Sequence, residues 1–196
     1  MKLSITNYSD TKIKNRLNYW FSLATEQEIK DGKNWYKEAQ DFAKYLSETY
    51  KIDSYVCASV ISALSPNNKW QRNKIDAEVV IKAYLNGIDP ENIKVCTYNA
   101  NKVKAFRILK GEIITEKSPK THAFAMNVGL LSTEHITIDK WHLRACLTKE
   151  KTDVVESCTN VQYRRVEKIT SQLAKEKGLK GYEFQAIVWV AIRNRW

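Results

Sequence analysis

The chain has 196 residues, 43% of them hydrophobic, and carries 32 Lys and Arg against 22 Asp and Glu, a formal charge of +10. That length holds one core of ordinary size or two small lobes, and no apolar run approaches the length needed to cross a bilayer. The polar start, Met1 to Asp10, reads as no secretory leader, and Cys57, Cys96, Cys146 and Cys158 form no C-x-x-C pair and no zinc or iron–sulfur spacing, which points to a reducing, cytoplasmic setting without disulfides.

Glycine and proline number only 6 and 3. Apolar residues recur at helical intervals, so the pattern predicts an all-α chain with short connections. Residues 8–30 form the first predicted helix, with Tyr19, Trp20 and Leu23, broken at Asp31-Gly32. Residues 33–50 follow as an amphipathic helix with Trp35, Ala39, Phe42, Ala43 and Leu46 on one side. Asp53 opens the most apolar helix, which runs through Tyr55, Val56, Cys57, Val60 and Ile61 to Leu64 and reads as central. It stops at Ser65-Pro66-Asn67-Asn68, because proline disfavours helical backbone in the residue before it. Helices are then expected at 70–85, briefly at Asp89-Pro90-Glu91, and at 99–109. Ser118 and Pro119 open another, as cap and first helical residue. Ile136-Thr137-Ile138 alternates before a helix begins at Asp139. Residues 148–160 read as polar loop, 161–177 as a charged helix, and 182–193 as a last helix burying Phe184, Ile187, Val188, Val190 and Ala191. No repeat or linker divides the chain. Two lobes from an interrupted chain are expected, 53–129 and 1–52 with 130–196.

The basic excess is spread along the chain and accompanied by many aromatics. That suggests a polyanion partner, nucleic acid first, although a Lys-rich soluble protein gives the same charge. Candidate chemistry concentrates in 118–144. Asp139 lies where a cap would sit and where a carboxylate can aim into a groove. Lys120 lies at the start of the preceding helix, so an amine and a carboxylate, each at a helix start, can face one cleft. Read singly, the first is an N-cap and the second a solvated side chain. The turn Leu64-Ser65-Pro66-Asn67-Asn68-Lys69-Trp70 breaks an apolar helix with short amides and then an aromatic. Such amides can enter a nucleic-acid groove and replace base-pair hydrogen bonds, or serve as an ordinary helix–helix turn. Lys69, Arg72 and Lys74, and also Lys102, Lys104 and Arg107, can hold phosphates or form solvated faces. His122, His135 and His142 are too scattered for a metal site; His142 can share the cleft of Asp139 or sit satisfied in the core.

Taken together, these residues resemble the helix–hairpin–helix DNA glycosylase superfamily, the branch of endonuclease III and the adenine glycosylase of mismatch repair, over residues 53–193. Leu64-Ser65-Pro66-Asn67 is similar to the family's leucine-serine-x-glutamine segment, with Asn67 in the place of the glutamine. The run 101–109 resembles the helix before the hairpin, Lys120-Thr121 the lysine-threonine that opens the second hairpin helix, and Ile138-Asp139-Lys140-Trp141-His142-Leu143-Arg144 the segment with the catalytic aspartate. Phe184-Gln185-Ala186-Ile187-Val188-Trp189 is similar to small phage and bacterial relatives. The chain departs from the family where Thr115-Glu116-Lys117-Ser118-Pro119 replaces the glycine-containing hairpin, and where the iron–sulfur cysteines are absent.

The resemblance implies an all-α fold of two helical lobes with a DNA-binding groove between them and a degenerate hairpin. It implies a monomer on double-stranded DNA, with no cofactor or metal, that flips a nucleotide and cleaves its N-glycosidic bond. Asp139 would be the catalytic carboxylate, and Lys120 either the nucleophile of an associated lyase step or a phosphate contact. Asn67, Asn68, Lys69, Trp70, Arg72, Lys102, Lys104, Thr121 and His142 would face the DNA. The departures point to a modified base, such as a glucosylated hydroxymethylated base of phage DNA, and to anti-phage defence. A phage-type transferase acting on an activated modified thymine keeps the same fold. A non-catalytic helical DNA-binding protein is the third reading.

Overall fold

Apolar residues at helical spacing, with few glycines or prolines to interrupt them, give the chain its architecture. The computed structural model describes residues 3–150 and 157–196. Among them are nine α-helices and no strand: α1 (Asp10–Ser22), α2 (Glu26–Tyr50), α3 (Ser54–Leu64), α4 (Trp70–Leu85), α5 (Asn99–Leu109), α6 (Pro119–Leu130), α7 (Lys140–Leu147), α8 (Asn160–Glu176) and α9 (Gly181–Arg195). Single 3-10 turns occupy Ile5–Asn7 and Pro90–Asn92. The protein is therefore all-α. Of the polar loop expected over 148–160, residues 151–156 lie outside the described residues. The chain divides into two compact units, Met1–Tyr36 with Ser132–Trp196, and Lys37–Leu131. The first division falls inside α2, not at the junction of 52 and 53.

In the unit Lys37–Leu131, α3 packs against α4, α5 and α6. Every residue from Cys57 to Leu64 is buried, as expected for a helix apolar on most sides. Asp53 caps it, its Oδ1 accepting from the backbone N–H of Tyr55 and Val56. Two buried polar side chains then tie neighbouring backbone to this core. Ser62 Oγ donates to the Thr121 carbonyl at 2.7 Å, and Asn73 Nδ2 to the Ile61 carbonyl at 3.1 Å. The later part of α2 belongs here because Phe42 meets the Trp70 ring and Tyr50 donates to Glu78.

In the other unit, α9 packs against α1, α7 and α8, and α1 also against α7 and α8. Phe184 is fully buried and stacks on Phe21 with centroids 5.1 Å apart. Arg195 closes the end of α9 on Glu28 through paired contacts of 2.9 and 3.0 Å. The hydrogen bonds from Arg195 outweigh burial and hold the Glu28 carboxyl down at about 2.

One expected break is corrected. The first helix ends at Ser22, and α2 runs straight through Asp31-Gly32. The start signal is Thr25-x-x-Glu28: Glu28 N–H donates to Thr25 Oγ1, and Thr25 N–H donates to Glu28 Oε2, the reciprocal pair of a capping box. Gly32 serves close packing instead. A Cβ there would lie 2.6 Å from the Ile187 backbone. Ser118 also departs from expectation, since its side chain makes no capping bond, while Pro119 does take the first helical position.

Gly32→Ala should lower stability by about 1–3 kcal/mol through overpacking against α9. Urea unfolding beside Lys33→Ala, an exposed neighbour on the same helix, checks this.

Candidate functional site

Residues 136–138 lead into the site. They are buried and extended yet have no strand beside them, so their backbone groups need other partners. Side chains of α8 supply them. Tyr163 Oη accepts from the Ile138 N–H at 3.0 Å and donates to the Ile136 carbonyl at 2.7 Å, and Glu167 Oε1 accepts from the Ile136 N–H at 3.1 Å. Burial pushes the Tyr163 hydroxyl well above its ordinary pKa, so it keeps the proton it donates.

Asp139 follows, half-buried, as the N-cap of α7. Its Oδ1 accepts from the His142 backbone N–H at 2.8 Å. Its Oδ2 accepts from the Trp189 indole N–H at 3.2 Å. Capping explains the first bond but not the second. Both bonds bring N–H donors to the carboxylate oxygens at the positive end of α7. Below it Tyr36 is buried and donates to Gln185 Oε1 at 2.8 Å. Burial, and then the charge of Asp139, raise the Tyr36 pKa, so it too remains protonated.

Trp189, which donates to this carboxylate, belongs to a cluster of aromatic rings and guanidinium groups. Trp35 and Trp189 are 5.9 Å apart between centroids. Arg193 lies over Trp189 at 4.7 Å and over Trp141 at 5.4 Å. Trp35 and Trp189 were named from sequence only within their helices, and neither they nor Arg193 were among its site candidates. The available signal was spacing: Trp189 and Arg193 are four apart on one helix, and Trp141 and Arg144 three apart on another.

The remaining candidates lie in the unit Lys37–Leu131. The turn after α3 is held by Asp76, which is fully buried. Asp76 accepts from Arg72 Nε at 2.9 Å, from Asn68 Nδ2 at 2.8 Å and from the Cys96 N–H at 2.9 Å. Thr97 Oγ1 donates to the Pro66 carbonyl at 2.9 Å, and Asn67 Nδ2 donates to the Tyr98 hydroxyl. The turn 65–69 and the segment 96–98 therefore form one stitched surface, presenting Asn67, Lys69 and Tyr98, all exposed. Tyr98 is a candidate the sequence reading missed. Asn68 Nδ2 and Arg72 Nε are bound to Asp76, which makes them supports of the turn. Trp70 is half-buried and packs on Phe42, with Lys74 5.8 Å above its ring. Lys120 and Thr121 are half-buried in the first turn of α6, and the Thr121 carbonyl is held by Ser62. Lys104 is half-buried on α5. The segment 110–118 joins α5 to α6 and ends in a turn closed by Ser118 N–H to the Thr115 carbonyl at 3.0 Å.

Two expected DNA contacts are corrected. Lys102 is buried and its Nζ donates to the Ile93 carbonyl at 2.8 Å, so its charge is spent on the protein's own backbone. His142 is fully buried, with Nε2 2.9 Å from Thr170 Oγ1. Thr170 gives its own proton to the Val166 carbonyl, which assigns the imidazole proton to Nε2. Burial holds the His142 pKa down at about 3.

His142 makes the fold sensitive to acid. Below pH about 6.5 the unfolded chain binds a proton that the folded chain refuses until pH about 3, so stability falls as pH falls through that window. The loss reaches about 2 kcal/mol at pH 5. Urea midpoints at pH 7 and pH 5 should diverge less in His142→Gln than in the parent. Tyr163→Phe should cost about 2–4 kcal/mol, because it strands two buried backbone groups; urea unfolding at pH 7 measures it.

Against known families, a model described as a family of unknown function (DUF7178) matches residues 1–196. No curated protein and no solved structure matches.

Proposed function

We propose that this chain, which belongs to the DUF7178 family, is a DNA N-glycosylase that turns a modified base out of the duplex and releases it, leaving an abasic site. The observation that carries the reading is the Asp139 carboxylate. It is half-buried, bonded at one oxygen by the start of α7 and at the other by Trp189, and lies beside aromatic rings. Breaking a glycosidic bond builds positive charge on the sugar, and a fixed ionised carboxylate stabilises that charge without having to reorganise. The departing base leaves with the bonding electrons and takes up a proton. Water adds at the anomeric carbon, or the Lys120 amine adds and gives a Schiff base.

The sequence of helix, turn-closed connection and helix formed by α5 and α6 supports a DNA partner, as does the formal charge of +10. At the stitched turn, Asn67 and Tyr98 are exposed amide and phenol groups able to fill the space an everted nucleotide leaves. The altered hairpin favours a modified phage base over an ordinary damaged one.

A panel of phage genomic DNAs, incubated with the protein and followed by mass spectrometry of free bases, tests this. The parent protein should release one modified base, and Asp139→Asn should release it at least about 100-fold more slowly. Equal release by the variant removes Asp139 from the mechanism, and a base that gains mass within the DNA replaces excision by group transfer. Borohydride should trap an adduct lost in Lys120→Met if the amine attacks; without an adduct, water is the nucleophile.

A further inference from the structure

We infer that the alternating row of tryptophan and arginine around Asp139 is a stacking site for unpaired nucleotides of a DNA strand. The row runs Trp35, Trp189, Arg193, Trp141, Arg144 and Trp196. Arg144 lies 4.3 Å over the Trp141 ring and 5.3 Å over Trp196, and those two rings meet edge to face at 5.9 Å. Arg193 joins Trp141 to Trp189, and Trp189 meets Trp35. All four rings are half-buried.

Packing alone accounts poorly for this arrangement. Trp20 shows what a core tryptophan looks like in the same unit: it is 4% exposed, with its indole N–H given to the Thr148 carbonyl at 2.8 Å. Arg195 shows what a structural arginine looks like on the same helix: it is bound to Glu28 and to the Leu23 carbonyl. Arg193 and Arg144 differ from it. Among the described residues neither pairs with a carboxylate, and the Arg144 Nε is buried without a hydrogen-bond partner. A guanidinium held over a ring face still has N–H donors to give to another acceptor. Ring faces beside unspent, planar donors suit a base with its phosphate. Bases paired in a duplex have no free face to offer, so the occupant is an unpaired nucleotide.

The placement of the row beside Asp139 rests on the glycosylase reading for its purpose, since a nucleotide stacked there sits next to the carboxylate. The binding itself does not need catalysis. Fluorescence anisotropy with an oligothymidylate of about twelve nucleotides, against a blunt hairpin duplex of equal length, tests it. The oligothymidylate should bind more tightly than the duplex. Arg193→Ala and Trp196→Ala should each weaken it about ten-fold while leaving duplex binding unchanged. Arg193 is exposed, so its replacement leaves the fold intact, and Arg193→Lys, which keeps charge but loses the planar face, should weaken binding nearly as much. Unchanged oligothymidylate affinity in Arg193→Ala, or a parent protein that prefers the duplex, overturns the inference. Asp139→Asn separates the two readings. If it binds the oligomer as the parent does and only base release is lost, both stand. If no DNA ever yields a free base while the row variants lose the oligomer, only the catalytic reading falls.

Discussion

A buried stretch of extended backbone with no sheet to join is the constraint on which the Asp139 site depends. Unpaired peptide groups in a dry interior are costly, and residues 136–138 avoid that cost only because Tyr163 and Glu167 reach across from α8. Those bonds fix where the extended segment ends, and so where α7 begins and where its capping carboxylate points. The position of Asp139 is therefore set by residues far along the chain. An account of this site that stops at its acidic group leaves out what holds the group still.

Close helix contact is the second requirement, and glycine meets it at two places. In one unit Gly32 lets α2 lie against the Ile187 backbone. In the other, a Cβ at Gly129 would come within 2.8 Å of the Tyr55 ring, so its absence lets α6 settle on α3. Both glycines sit inside helices, where the residue is intrinsically unfavourable by about 1 kcal/mol relative to alanine. The packing they permit must outweigh that.

Much of the helical framework was legible because it follows from local chemistry. Asp53 before an apolar run, Pro66 after it, and Asn86-Gly87 closing the next helix are short-range signals, and α3 begins and ends, and α4 ends, where those signals place them. Gly32 was misread for the complementary reason: turn glycine and contact glycine look alike until the partner helix is known. Lys102 and His142 were misjudged similarly. Their residue types suit DNA, but the turn of the helix that points each one inward depends on tertiary packing. The Trp and Arg row was hidden because its members come from α2, α7, α9 and the C-terminal Trp196, with Trp35 far before the rest in the chain.

Asn67 carries a consequence of another kind. Its backbone is left-handed, with φ of 56°, a conformation that side chains other than Asn and Asp enter at a cost of about 1–2 kcal/mol. The amide at that position is thus selected by the bend of the chain before any base is considered. Lys51 and Leu131 take the same backbone conformation elsewhere in the chain, so a longer glutamine is possible there only at that cost, and the shorter residue is a conformational preference and not by itself a statement about which lesion or modification is read. The bend itself thus favours a short amide at the tip of the turn, and its neighbours are freer to vary in what they present.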